Sequence, residues 1–254
     1  MLSKIRKSSF TVPFLTLIIF LILWEISAHY RIISPTFFPP PTKIWISFVR
    51  LIKNGALFEA TNATLIRFLG GVICGSILGA ILGLMMGWWQ KLNSFLTPWI
   101  AALYPIPKIA IFPLLMIIFG IGEGSKFVAI LLSAFFPMLI TTLNGVNQIN
   151  RIYFEVGKNY GVTGKNVFTH ILFPGSLPSM LAGLKMAVNT GFIITISVEI
   201  ISAKSGLGVL LWFGWQTFRV GEIYVVLVVI SLLGLLINYL LEKSTRRLIP
   251  WMGE

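Results

Sequence analysis

The chain reads as an all-α, polytopic membrane protein with six transmembrane helices. Three observations point there. Residues of the Ala, Val, Ile, Leu, Met, Phe, Trp, Tyr and Cys set make up 56% of the 254 residues, and Asp, Glu, Lys and Arg only 11%. A soluble domain carries about 25% charged residues. The mean hydropathy is +0.89. Six apolar stretches recur, each of about 20 residues, the length that crosses a hydrocarbon core about 30 Å thick. Together these exclude a soluble enzyme, a disordered chain and a collagen-like chain. A lone cysteine, Cys74, builds neither a disulfide within the chain nor a metal site, and reads as a small packing residue.

The first span is the apolar run from Phe10 to about Ile26, behind Lys4, Arg6 and Lys7. It continues into Trp24 and Tyr30 rather than a small-residue cleavage site, which favours an uncleaved helix over a signal peptide. Prolines at 35, 39, 40 and 41 then forbid a continuous helix. Ile44–Ile52 follows, with apolar residues at 44, 45, 48, 49, 51 and 52, and reads as an amphipathic helix at the interface ended by Asn54-Gly55.

The second span, about Ala60 to Trp88, carries Gly71, Gly75, Gly79, Gly83 and Gly87. Spaced by four, they form one ridge without side chains, where another helix backbone can approach closely, for tight packing or for sliding. The third span, about Phe95–Phe119, holds Pro98, Pro105, Pro107 and Pro113, with Lys108 in its middle. Carbonyls freed by proline need partners inside protein or a wet cavity. Lys108 is therefore either a pore or gate residue or a tie to those carbonyls.

Gly120–Ser125 is a turn, and the fourth span runs from Lys126 to about Gly145. A polar stretch, 147–170, precedes a fifth span from about Pro174 to Ile201. Ser205-Gly206-Leu207-Gly208 forms a loop, the sixth span is Ile223–Leu241, and the tail carries Lys243, Arg246 and Arg247.

An even number of spans places both chain ends on one side. The net charge is +12, from 20 Lys and Arg against 8 acids, every one a Glu. The basic residues are scattered among apolar spans, which speaks for membrane topology and against nucleic acid. Setting both ends in the cytoplasm leaves Arg31, Lys43, Arg50, Lys53, Arg67, Lys126, Lys204 and Arg219 outside, a basic face that attracts an anion or satisfies lipid phosphates. No phosphate-binding GxxxxGK[ST] loop, HExxH or GxSxG occurs. The chain is therefore no ATPase of its own, binds no metal or cofactor on this evidence of motifs, and is not an enzyme. Ionisable groups placed for a proton relay are few: Glu25, Lys108, Lys185 and Glu199.

The polar loop holds the most chemistry. Two short helical stretches meet at Gly161, where a glycine accepts the positive φ of a sharp turn. Thr163 suits a cap, Val167, Phe168 and Ile171 share one face, and Pro174 and Pro178 suit the first turns of the next span. A short helix offering an apolar face to water wants a protein partner.

Glu155-Val156-Gly157, followed by Tyr160-Gly161-Val162 and then Ile171-Leu172-Phe173-Pro174, resembles the EAA loop of binding-protein-dependent ABC importer permeases. It departs from the usual Glu-x-Ala, Leu-Gly-Ala and Ile-Leu-Pro by small-for-small changes and one added residue. The resemblance extends over most of the chain. Ile33-Ser34-Pro35 with Phe38-Pro39-Pro40-Pro41, Tyr104-Pro105-Ile106-Pro107-Lys108-Ile109-Ala110 with Phe112-Pro113-Leu114 and Phe119-Gly120-Ile121-Gly122-Glu123, and Ser205-Gly206-Leu207-Gly208 after Glu199 are similar to the nitrate/sulfonate/taurine branch. The closing Arg246–Glu254 stretch is similar to taurine-importer permeases.

The resemblance implies a single permease domain over 1–254 with the type I ABC importer fold, in the bacterial inner membrane with both ends cytoplasmic. It implies a second permease subunit, most simply an identical one. It also implies cytosolic ABC ATPase subunits carrying ATP and Mg, and a periplasmic or lipid-anchored binding protein that delivers a small solute such as a sulfonate, taurine or nitrate. Coupling to the ATPase falls to Glu155, Gly157, Gly161, Val167, Phe168, Ile171 and Pro174. Pathway candidates facing the axis between subunits are Lys108, Asn189, Thr190, Thr195 and Glu199. The rival is an ion-gradient-driven secondary transporter or channel that uses Lys108 and Glu199 and has no ATPase partner.

Overall fold

The computed structural model describes residues 2–249, so the last five residues of the tail resemblance lie outside the described residues. The chain forms α1 (Leu2–His29), α2 (Pro41–Lys53), α3 (Ala56–Trp88), α4 (Gln90–Leu103), α5 (Phe112–Phe119), α6 (Glu123–Asn147), α7 (Arg151–Asn159), α8 (Lys165–Val167), α9 (Phe173–Ser202), α10 (Leu207–Gln216) and α11 (Val220–Leu248). A wide π turn over Phe168–Leu172 joins α8 to α9, so Lys165–Ser202 is one rod. Among the described residues five helices are long and apolar enough to cross a membrane.

The glycine ladder sets the core. A methyl built on Gly71, Gly75, Gly79, Gly83 or Gly87 would lie within 2.7 Å of an α6 atom, so only a bare backbone lets α3 and α6 meet this closely. Gly71 abuts Ile130 and Gly87 abuts Val146, so α3 and α6 run parallel. The chain between them must therefore cross back.

That return is the third apolar stretch, and it is not one helix. It is broken into α4 and α5, with the turn residues around Pro105 and Pro107 between them. Two prolines two residues apart remove donors and crowd the preceding turn, which ends the helix instead of kinking it. The sixth crossing is thus a broken one.

α9 runs antiparallel to both partners, with Ser179 against Gly145, Thr141 against Gly183 and Val72 against Gly191. Phe68, Ile130, Leu139, Ala187 and Val198 are fully buried between these three rods. α11 runs antiparallel to α9, joined by Asn238 Nδ2 donating to Asn189 Oδ1 at 3.0 Å.

α2 is the expected amphipathic helix. Leu51 joins Leu57, Ala60, Leu207, Val225 and Val226 in a second apolar cluster, while Trp45, Ile46 and Ile52 stay exposed. Glu25 of α1 accepts from Thr42 N–H at 3.1 Å and Thr42 Oγ1 at 2.8 Å, anchoring the start of α2. Trp24 packs on Tyr224, so α1 ends where α11 begins.

Following the rods in order puts both chain ends and the 148–172 loop at one end of the bundle. The 30–55, 120–122 and 203–219 connections lie at the other. Cys74 is exposed on α3, not packed inside as its small size suggested.

Candidate functional site

Local hydrogen bonds shape the loop at the first end. Asn150 caps α7, its Oδ1 accepting from Ile152 N–H at 3.0 Å. α7 closes at Gly161, φ +70°, where Gly161 N–H donates to Lys158 O at 3.0 Å and Val162 N–H to Gly157 O at 2.8 Å. These are the paired bonds of a Schellman cap, which asks for a left-handed residue at this position. Thr163 contributes its carbonyl, to Asn166 N–H, and α8 begins after Gly164 without a side-chain cap.

Val167, Phe168 and Ile171 do lie close together, but they are half-buried rather than offered to water. The Phe168 ring sits edge-on to Trp88 of α3, with centroids 6.1 Å apart. Gly157 is buried against Ile171, where an added methyl would come within 2.8 Å of Cδ1. Phe168 thus ties the loop to α3, and Ile171 ties α7 to the rod that continues into α9.

The face left open belongs to α7. Ile152, Tyr153, Val156 and Tyr160, at helical spacing, are exposed, Tyr160 at 83%. Beside them a groove of about 750 Å³ runs between α7 and the start of α9, lined by Ile149, Tyr153, Val156, Tyr160, Ile171 and Pro174. Glu155 is exposed on the same helix. The helical period of 152, 153, 156 and 160 is present in the sequence; that this face stays open, and not the expected one of Val167, Phe168 and Ile171, needed the fold.

The opposite end carries a buried charge cluster. Glu199, 1% exposed, accepts from Arg67 Nη1 at 2.9 Å, from Thr64 Oγ1 at 2.9 Å and from Gly208 N–H at 3.0 Å. Thr64 Oγ1 in turn accepts from Leu207 N–H at 2.9 Å. Arg67 also donates to the Ser205 carbonyl and pairs both Glu123 oxygens, from Nε at 2.6 Å and Nη2 at 3.0 Å. Lys126, 3% exposed, completes the set on Glu123 Oε1 at 3.2 Å and Gly122 O at 3.0 Å.

Two cations and two carboxylates thus neutralise each other across α3, α6, α9 and the Ser205–Gly208 loop. Both glycines of the loop pack against Glu199: a methyl on Gly208 would lie 2.5 Å from the Ile196 carbonyl and 2.7 Å from the Glu199 Cβ, and one on Gly206, whose φ is +131°, would overlap the carboxylate. Of this cluster the pattern of residues singled out only Glu199. Arg67 in the middle of an apolar, glycine-rich span was the available signal, since such a charge demands a partner.

The other pathway candidates are also engaged within the chain. Lys108 Nζ donates to the carbonyls of Leu103, Tyr104 and Ile106 at 2.9–3.1 Å and lies 4.4 Å from the centre of the Phe136 ring. This is a tie to carbonyls at the proline-broken end of α4. Thr190 Oγ1 reaches Ser133 O of α6 at 2.9 Å, and Thr195, fully buried, donates to Gly191 O at 2.7 Å. Asn189 is exposed and meets Asn238.

Comparison with known proteins agrees on one kind of molecule. The family described as binding-protein-dependent transport system inner membrane component matches residues 71–254. The taurine transport system permease protein TauC of Escherichia coli is 29% identical over 244 residues, 94% of this chain and 89% of that one. The formylaminopyrimidine transport permease protein ThiX of Halalkalibacterium halodurans is 30% identical over 239 residues, 94% and 95% of the two chains. Among solved structures, the inward-facing MetNI methionine ABC transporter aligns with a TM-score of 0.52 at 17% identity, covering 84% of this chain and 99% of that one, a likeness of fold.

Proposed function

The chain belongs to the family of binding-protein-dependent transport system inner membrane components, and from that premise we propose that it forms the translocation pathway of an ATP-driven importer and takes its drive through the loop 147–173. The observation that carries this reading is the α7 face: Ile152, Tyr153, Val156 and Tyr160 exposed beside Glu155 and a groove, on a helix held to the rods from behind. A helix built this way suits a partner protein. Cytosolic ATPase subunits carrying ATP and Mg are that partner, and the end bearing the loop and both chain ends is the cytoplasmic one.

Displacement of α7 would pass along two contacts: Ile171 on Gly157 into the α8–α9 rod, and Phe168 on Trp88 into α3. α3, α6 and α9 are locked together by the ladder at one level and the Arg67–Glu199 cluster at another, so they would move as one body. A second, identical permease subunit would complete the pathway, and a periplasmic or lipid-anchored binding protein would deliver solute to the far end. TauC supports taurine or a similar small sulfonate as that solute, with nitrate a further candidate.

Reconstituted with its ATPase and binding protein, the permease should accumulate solute only with ATP and regardless of a collapsed ion gradient. Uptake that follows the gradient without ATP would overturn the reading. The gradient-driven rival lacks support, because Lys108 is engaged by three carbonyls and Glu199 by Arg67, Thr64 and Gly208.

A further inference from the structure

Among the described charged side chains, two lie more than ten residues from either end of the long helix that carries them: Arg67 in α3 and Lys185 in α9. Arg67 has Glu123 and Glu199. Lys185 is exposed and has no hydrogen-bond or ion-pair partner among the described residues. Its level in the bundle follows from the packing. Ser179 meets Gly145 near the end marked by Trp88, and Lys185 lies six residues further in, about 9 Å along the helix. An ammonium at that depth reaches along its own stem for a polar group.

Lys185 lines a cleft of about 320 Å³ between α9 and α11 together with Leu181, Leu241, Glu242 and Arg246. An adjoining groove of about 330 Å³ adds Tyr239 and Lys243 and shares Glu242 and Arg246. Three cations therefore face one carboxylate, and Glu242 is already paired with Arg246 at 3.0 Å. On the same helix α11 exposes Leu232, Leu235 and Leu236.

We propose that this cleft is a binding site for an anionic phospholipid, with the headgroup phosphate between Lys185 and Arg246 and an acyl chain along the α11 face. The ligand chemistry is an oxyanion beside an apolar chain. The apolar lining of Leu181, Leu241 and Ile249 beside the cations, and the exposed leucines of α11, favour lipid over a free solute anion. Basic pockets between membrane helices take anionic headgroups, each cation contributing about a fivefold gain in affinity.

The test is native mass spectrometry of the full-length protein in detergent, titrated with phosphatidylglycerol or phosphatidylcholine. Phosphatidylglycerol should bind preferentially. Lys185→Met should weaken it about fivefold, Lys185→Met with Arg246→Met further, and Lys185→Arg should restore it, while Lys91→Met on α4 should leave it unchanged. Thermal melting of each variant separates lost binding from lost folding. Equal retention of both lipids, or an equal loss in Lys91→Met, would overturn the site. Displacement of the lipid by millimolar taurine or sulfate would reassign it to a solute. A double variant that keeps lipid but falls from dimer to monomer would reassign it to a second copy of the chain.

Discussion

Glu199 and Lys108 show what a charge inside an apolar segment requires. Each is a pathway candidate as an ionisable group within an apolar span, and each is held by several partners of its own chain. Replacing Arg67 with Met leaves Glu199 buried without its cation, and a loss of about 3–5 kcal/mol is expected for breaking one side of such a pair. Glu123→Gln should cost less than Arg67→Met, because Glu123 itself is largely open to solvent and a Gln oxygen can still accept from Arg67 and Lys126. Thermal melting in detergent ranks the two, and equal effects would show that the cluster is not organised around Glu199. Lys108→Met should lower the melting temperature while leaving the apparent KM for the transported solute unchanged. A raised KM with unchanged stability would return Lys108 to the pathway.

The helices were legible in proportion to how much of their environment is local. α2, α3, α6 and α9 follow from apolar length, prolines at their starts and glycine punctuation. The ladder at 71, 75, 79, 83 and 87 identified the contacting face of α3 before any partner was known. Gly79→Val should separate α3 from α6 and destabilise by about 1–3 kcal/mol or more, whereas Ile77→Val on the exposed face should be near neutral. Gly161→Ala meets open space but a φ of +70°, so it should cost roughly 1–2 kcal/mol of local stability, seen as faster hydrogen exchange in α7. What escaped the pattern was set by distant residues. The break between α4 and α5 depends on a pair of prolines whose tolerance in a helix is decided by the surroundings. α10, ten residues of apolar helix, was hidden in a connection because it is too short to span. The outward face of the loop was misplaced because 152, 153, 156, 160 and 167, 168, 171 are both amphipathic, and only contact with Trp88 decides which turns inward.

Parallel α3 and α6 require a crossing between them, so the bundle has six passages although five helices are long enough alone. In a background with Cys74→Ser, single cysteines at 53 and 204 should react with a membrane-impermeant maleimide from one side only, and cysteines at 91 and 158 only from the other. Cysteines 53 and 158 reacting from the same side would refute the six-passage arrangement. That arrangement gathers the loop and both chain ends at one end, where an ATPase would dock, and closes the opposite end with buried charge. The most direct measurement is purification of the tagged protein from its native membranes in mild detergent, with bound proteins identified. The coupling assignment predicts a stoichiometric ATPase subunit, lost when Tyr153 and Val156 are changed together to Glu while the protein stays folded. Recovery without any ATPase, under conditions that preserve a control ABC complex, would contradict it.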